Sequence, residues 1–140
     1  MNTLKLPPPP GASRIMVKTP IYAREEWGNT QLFVIKGETY FFRATGKWLD
    51  FFILCNPNGY DLWYLKIAKK NLRCRLPGAN WFTLIGAIDE RVDSLFVIGD
   101  GTRHTKGWTA PYSGNLCAFA NDMPGMYWNN FSSIMLEVWQ

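Results

Sequence analysis

The densest set of oxygen-bearing side chains in this 140-residue chain lies in residues 121–130, Asn-Asp-Met-Pro-Gly-Met-Tyr-Trp-Asn-Asn. Asp122 supplies the carboxylate that a hard cation prefers. Pro124 and Gly125 bend the backbone back, which can turn the Met126 carbonyl toward the same point. Asn129 and Asn130 then offer amide oxygens from adjacent positions. Calcium takes about six to eight oxygens in loose geometry, whereas magnesium demands a tight octahedron and keeps its waters. The competing reading is plain: Asn, Asp, Pro and Gly are what tight turns are made of. Spacing alone leaves both readings open.

Other chemical groups are sparser. Asp89, Glu90 and Asp93 could suggest the paired carboxylates of glycoside hydrolysis, but they read more simply as a solvated turn. The single histidine, His104, has no partner at metal spacing, and neither Ser113 nor Ser132 sits in a nucleophile elbow that would make a triad with it. A zinc site and an enzyme are therefore not expected. Lys66, Lys69, Lys70, Arg73 and Arg75 form the one basic cluster, and the net charge is only +4. That is little for tracking phosphates, so a solvated connection is expected and nucleic acid is not. Of three cysteines, Cys55 and Cys74 could bridge, while Cys117 sits in an apolar run and reads as core.

The elements that must position the 121–130 segment are strands. Apolar runs at 15–19, 30–35, 38–45, 48–54, 82–88, 94–98, 115–120 and 133–139 are separated by Gly, Pro and Asn. The last alternates: Ile134, Leu136 and Val138 point inward, and Ser133, Met135 and Glu137 outward. Such a pattern, with almost no helical period, predicts an all-β sandwich or barrel. Residues 61–72 are the exception, since Leu62, Leu65 and Leu72 fit a helix face as well as a strand. Residues 1–13, with four consecutive prolines, read as a stiff tail or linker, and residues 14–140 as one domain. The 16% aromatic share suits strands and stacking platforms equally. Trp27, Trp48, Trp81 and Trp108, in or beside strands, are expected to pack. No apolar run spans a bilayer and no secretory signal is read at the start, so the expected location is the cytoplasm or export by a signal-independent route.

The pattern Asn121-Asp122-x-Pro124-Gly125-x-Tyr127-x-Asn129-Asn130, followed by an alternating strand, resembles the calcium loop of the galactophilic, LecA-like bacterial lectins. Other stretches agree in order: Lys36-Gly37-Glu38, Ala44-Thr45-Gly46-Lys47-Trp48, Asn56-Pro57-Asn58-Gly59-Tyr60, Leu84-Ile85-Gly86-Ala87-Ile88, Phe96-Val97-Ile98-Gly99 and Trp108-Thr109-Ala110-Pro111. The resemblance implies a jelly-roll-like β-sandwich of the galactose-binding type, with calcium bridging protein and sugar. It implies Asp122, Asn129 and Asn130 as side-chain ligands, Met126 through its carbonyl, and Asp50 through carbonyl or carboxylate. It further implies sugar contacts from Asn56, Asn58, Asp122, Met123, Trp128 and Asn129. The departures lie on the sugar side. Asn56 and Asn58 stand where the family carries histidine and glutamine, Trp128 replaces a glycine-sized residue, and Met123 a small aliphatic one.

The implied function is calcium-dependent binding of galactose or a related monosaccharide, with no bond made or broken and with a homo-oligomer expected for avidity. The alternative from another class is a non-catalytic interaction or structural module in which calcium stiffens the loop or is absent. A calcium-bridged phospholipid binder is a third, poorer reading.

Overall fold

The computed structural model of the protein describes residues 6–62, 64 and 66–140. Among them the strands run β1 (Ile15–Tyr22), β2 (Gly28–Val34), β3 (Thr39–Thr45), β4 (Trp48–Asp50), β5 (Ile53–Cys55) and β6 (Leu84–Ile88). They continue as β7 (Phe96–Val97), β8 (Trp108–Thr109), β9 (Gly114–Ala120), β10 (Asn130–Phe131) and β11 (Ser133–Trp139). One sheet has the order β1-β11-β3-β8, the facing sheet β2-β9-β6-β7, and a small third sheet β10-β4-β5. The fold is an all-β sandwich, as the spacing of apolar runs predicts. Among the described residues no helix is long and apolar enough to cross a membrane.

The inner face of the first sheet follows the period-two pattern. Ile134, Leu136 and Val138 of β11 are buried beside Tyr40, Phe42 and Ala44 of β3. The larger aliphatic and Phe side chains among them contribute about 1.5–3 kcal/mol each on burial. Glu137 takes the outward face, as its alternation with Leu136 and Val138 predicts, but is covered there and only 9% exposed. Its cross-strand partner Arg43 lies 3.9 Å away, and Trp139 Nε1 donates to its carboxylate at 3.2 Å. Pro20 lies in β1, which pairs only with β11, so its missing N–H removes no ladder bond a second neighbour would need.

In the second sheet β6, and β9 from Leu116 onward, are buried on both faces, which explains why they read as continuous apolar runs. Leu84, Ile88, Leu116, Ala118 and Ala120 join the main core. Ile85 and Phe119 point the other way, into a second cluster with Cys74, Ala79 and Val97. The long connection between β5 and β6 therefore folds over the outer face of this sheet. The expected helix or strand at 61–72 is not formed among the described residues, which leave out Trp63 and Leu65; they hold turns and a 3-10 segment, Ala68–Asn71.

The apolar run 48–54 is also not one strand. It is a hairpin, β4 and β5, with Asp50 opposite Ile53 and Phe51 in the left-handed region (φ 57°). Cys55, Cys74 and Cys117 are buried and free, so the possible Cys55–Cys74 bridge is not formed. Described residues of the N-terminal segment lie against the sandwich: the Ser13 and Arg14 amides donate to the Gln140 carbonyl at 2.8 and 2.7 Å.

Candidate functional site

The segment after β9 is fixed at both ends. Asn121, fully buried, accepts from the Cys74 amide at 2.9 Å and returns a bond to the Cys74 carbonyl at 2.9 Å. Its amide nitrogen also reaches the Asn80 carbonyl at 3.1 Å. Asn121 is thus a clip that ties the long crossover to the end of β9. Gly125 takes φ 83°, and the 3-10 turn Tyr127–Asn129 follows, with Met126 as its N-cap. Tyr127 is buried; its hydroxyl donates to the Ala120 carbonyl at 2.5 Å and accepts from Arg73 at 2.7 Å. Arg73 in turn lies over the Phe119 ring at 3.6 Å, a cation–π contact made inside the fold.

β10 then pairs antiparallel with β4, and the register sets Asn130 directly opposite Asp50. The Phe51 amide donates to the Asn129 carbonyl at 2.9 Å. Two residues that are eighty apart in sequence become neighbours through this two-residue strand. Arg24 supports the same backbone from outside, donating to the carbonyls of Trp128 at 3.1 Å and Asn130 at 3.3 Å.

Asp122, 2% exposed, accepts from the Met123 amide at 2.7 Å and from Asn130 Nδ2 at 3.0 Å. Asn130 Nδ2 also donates to the Ala23 carbonyl at 3.1 Å. Two acceptors around one end of the amide fix which end is nitrogen. The other end, Asn130 Oδ1, is buried and has no partner, and neither has Asn129 Oδ1. Among the described residues the other buried side-chain atoms without a partner are the indole nitrogens of Trp48 and Trp81. Both unpartnered buried acceptors therefore sit on adjacent residues of this one segment.

Asp122 and Asp50 are two carboxylates at least partly buried and close enough for the charge of one to act on the other. Burial, and then the nearby Asp50 carboxylate, push the Asp122 carboxyl up to about 6 against the pull of its Met123 and Asn130 hydrogen bonds and of Arg73. Burial also raises Asp50, opposed by a short hydrogen bond from the Tyr60 hydroxyl. Carboxylates and amide oxygens such as these are donors of the kind hard cations take. Among the described residues no group of three or more His, Cys, Asp or Glu side chains converges.

The structure thus brings Asp50, Asp122, Asn129 and Asn130 together, with Met126 half-buried at the turn before them. Trp128 is 66% exposed and Met123 half-buried on the same segment. Asn56 and Asn58 are exposed, and their side-chain oxygens are used within the protein. Asn56 caps the Asn58 amide at 2.8 Å, and Asn58 holds the Asp100 amide at 2.9 Å. Asn58 lines a separate cavity of about 270 Å³ with Asp100 and Arg103. Tyr60, Arg73, Tyr127 and Arg24 shape the site, a role the sequence assigned to none of them, because each acts through a contact that only the tertiary fold creates. The basic cluster is likewise taken up in part: Lys69 pairs with Asp61 at 3.1 Å, and Arg75 donates to the Lys70 carbonyl at 3.3 Å. His104 packs by Phe42 and Phe96 with its ring on the Val97 carbonyl.

No protein-family model and no curated protein sequence matches the chain. Among solved structures it is similar to one described as "EclA N-terminal domain; PllA-like lectin", with a TM-score of 0.67 at 19% identity. The match covers 90% of this chain and 97% of that one, so what the two share is the sandwich fold over nearly its whole extent.

Proposed function

We propose that the protein is a calcium-dependent carbohydrate-binding domain, a lectin, in which sugar hydroxyls complete the coordination of one calcium ion. The observation that carries this reading is the pair of buried, unpartnered amide oxygens of Asn129 and Asn130, on a segment whose Asn130 amide nitrogen bonds Asp122 and whose backbone pairs opposite Asp50. An unsatisfied buried acceptor costs about 1–3 kcal/mol, and a buried uncompensated carboxylate costs more. A bound divalent cation removes both penalties at once. Asp122, Asn129 and Asn130 would hold it through side-chain oxygens, Met126 through its carbonyl, and Asp50 through carboxylate or carbonyl. The lectin description of the structural neighbour supports the carbohydrate-binding part of this reading.

The ligand proposed is galactose or a related monosaccharide, bound without chemistry. Asn129 and Asp122 would face it alongside the cation, Trp128 and Met123 would pack on its apolar surface, and Asn56 and Asn58 would offer their amide nitrogens. Self-association would add avidity to a weak single site. Calcium titrated into metal-free protein should give a one-site heat and raise the melting temperature. Absence of both at millimolar calcium would remove the metal from the proposal.

Tyr60 gives a finer test. Its hydroxyl orients Asp50 and favours the charged carboxylate. Tyr60→Phe should weaken calcium binding about tenfold, the usual cost of losing a group that orients a metal ligand, with little change in melting temperature of the metal-free protein. Unchanged affinity would show that Asp50 is not a ligand through that carboxylate.

A further inference from the structure

A second cavity, of about 300 Å³, opens at the opposite end of β9 and is lined by Trp27, Asn29, Asp89, Glu90, Asn115 and Cys117. Along β9 it lies about 20 Å from Asp122, at about 3.3 Å per residue. Its walls are set by the sheet: Asn29 is the cross-strand partner of Cys117, and the Asp89 amide donates to the Asn115 carbonyl at 2.9 Å.

The groups lining it are positioned and only partly used. Asp89 accepts from the Asn115 amide through one carboxylate oxygen at 2.8 Å. Asn29 accepts from the Gln31 amide at 2.7 Å, which leaves its own amide nitrogen as a donor. Asp89 and Glu90 form the centre of a tight turn closed by Arg91 N–H on the Ile88 carbonyl at 3.0 Å, with φ of 52° and 57°. Left-handed positions suit Gly, Asn and Asp, so the cost of about 1–2 kcal/mol for an ordinary side chain falls mainly on Glu90. The sequence nevertheless keeps two carboxylates at the rim.

Trp27 provides the apolar wall and is held rigidly. Arg73 lies 4.5 Å from its ring centroid, and Phe119 meets it edge-on at 5.1 Å. Arg73 does not line the cavity, so the indole surface that does is free. A guanidinium already on the ring weakens its attraction for a second cation, and leaves it better suited to the C–H groups of a neutral ring. An aromatic wall, one fixed carboxylate at Asp89, a second at the exposed rim at Glu90, and an amide donor in a space of this size match a polyhydroxylated six-membered ring.

We infer that this cavity is a second saccharide site, independent of metal. It stands or falls apart from the calcium reading, because none of its lining residues belongs to the Asp122 segment. The test uses wild-type protein in EDTA, titrated separately with galactose, glucose, mannose and N-acetylglucosamine, and followed by amide and indole N–H shifts. At least one sugar should move the Trp27 indole and the Asn29 and Asn115 side-chain amides. Glu90→Gln should weaken that response about tenfold, as expected for loss of a charged hydrogen-bond acceptor. Trp27→Ala should abolish it, and Asn115→Leu serves the same purpose if loss of Trp27 unfolds the protein. No shift at these residues with any sugar, shifts undiminished in Glu90→Gln and Asn115→Leu, or shifts with tetramethylammonium alone would each overturn the assignment.

Discussion

Asp122→Ala is expected to lose calcium affinity by about a hundredfold or more while remaining folded in calcium-free buffer. The carboxylate is one of two charges proposed for the site, and losing a residue that merely supports a metal ligand already costs about 10–100-fold. The fold should survive because Asp122 lies in the connection after β9, outside both core clusters, and Asn130 keeps its bond to Ala23. The metal-free protein should also report the charge. With its folded value raised to about 6 from 3.8, Asp122 adds stability that is fully present below about pH 4 and lost as pH rises through 6. A shift of that size corresponds to about 3 kcal/mol. In calcium-free buffer, wild type relative to Asp122→Asn should therefore lose stability from pH 4 to pH 7 in urea melts, and calcium should reverse the trend. Global unfolding of Asp122→Ala without calcium would instead make Asp122 a structural residue.

Its neighbour should behave in the opposite way. Asn121→Ala removes the three hydrogen bonds to Cys74 and Asn80 and leaves the Cys74 N–H and carbonyl buried without those partners. At about 1–3 kcal/mol for each stranded group, the loss should approach 3 kcal/mol and lower the melting temperature by about 10 °C. Calcium affinity should change far less than in Asp122→Ala, because no proposed ligand atom bonds to the Asn121 side chain. Urea unfolding and a calcium titration on the same sample separate the two effects. A neutral Asn121→Ala would mean that the crossover is held by its Cys74 and Ala79 packing alone.

The strands were legible where burial is one-sided. Ile134, Leu136 and Val138 alternate with more exposed neighbours, and the period-two pattern placed β11 at its observed bounds. The hairpin within 48–54 was hidden because its turn is Phe51-Phe52, with no Gly, Pro or Asn to mark it. Residues 61–72 misled for a related reason: Leu72 is buried by the tertiary fold of the crossover, not by the face of a regular element.

The proposed ligands themselves were visible as residue types, and Asp50 only through the resemblance. What composition could not show is the two-residue pairing that sets Asp50 opposite Asn130, or the amide orientation that leaves Asn130 Oδ1 without a donor. Nor could it show that the Asn58 side-chain oxygen holds the Asp100 amide, because that depends on where residue 100 returns to the loop.

The most direct test is calorimetry of a monosaccharide panel against the same protein in calcium and after EDTA. Calcium-bridged recognition predicts heat from galactose or a close relative in calcium, its loss in EDTA, and its return when calcium is restored. Heat that persists in EDTA and still persists in Glu90→Gln and Asn115→Leu would contradict the calcium bridge. Calcium binding with no sugar heat in any condition would leave a structural cation in an interaction module instead.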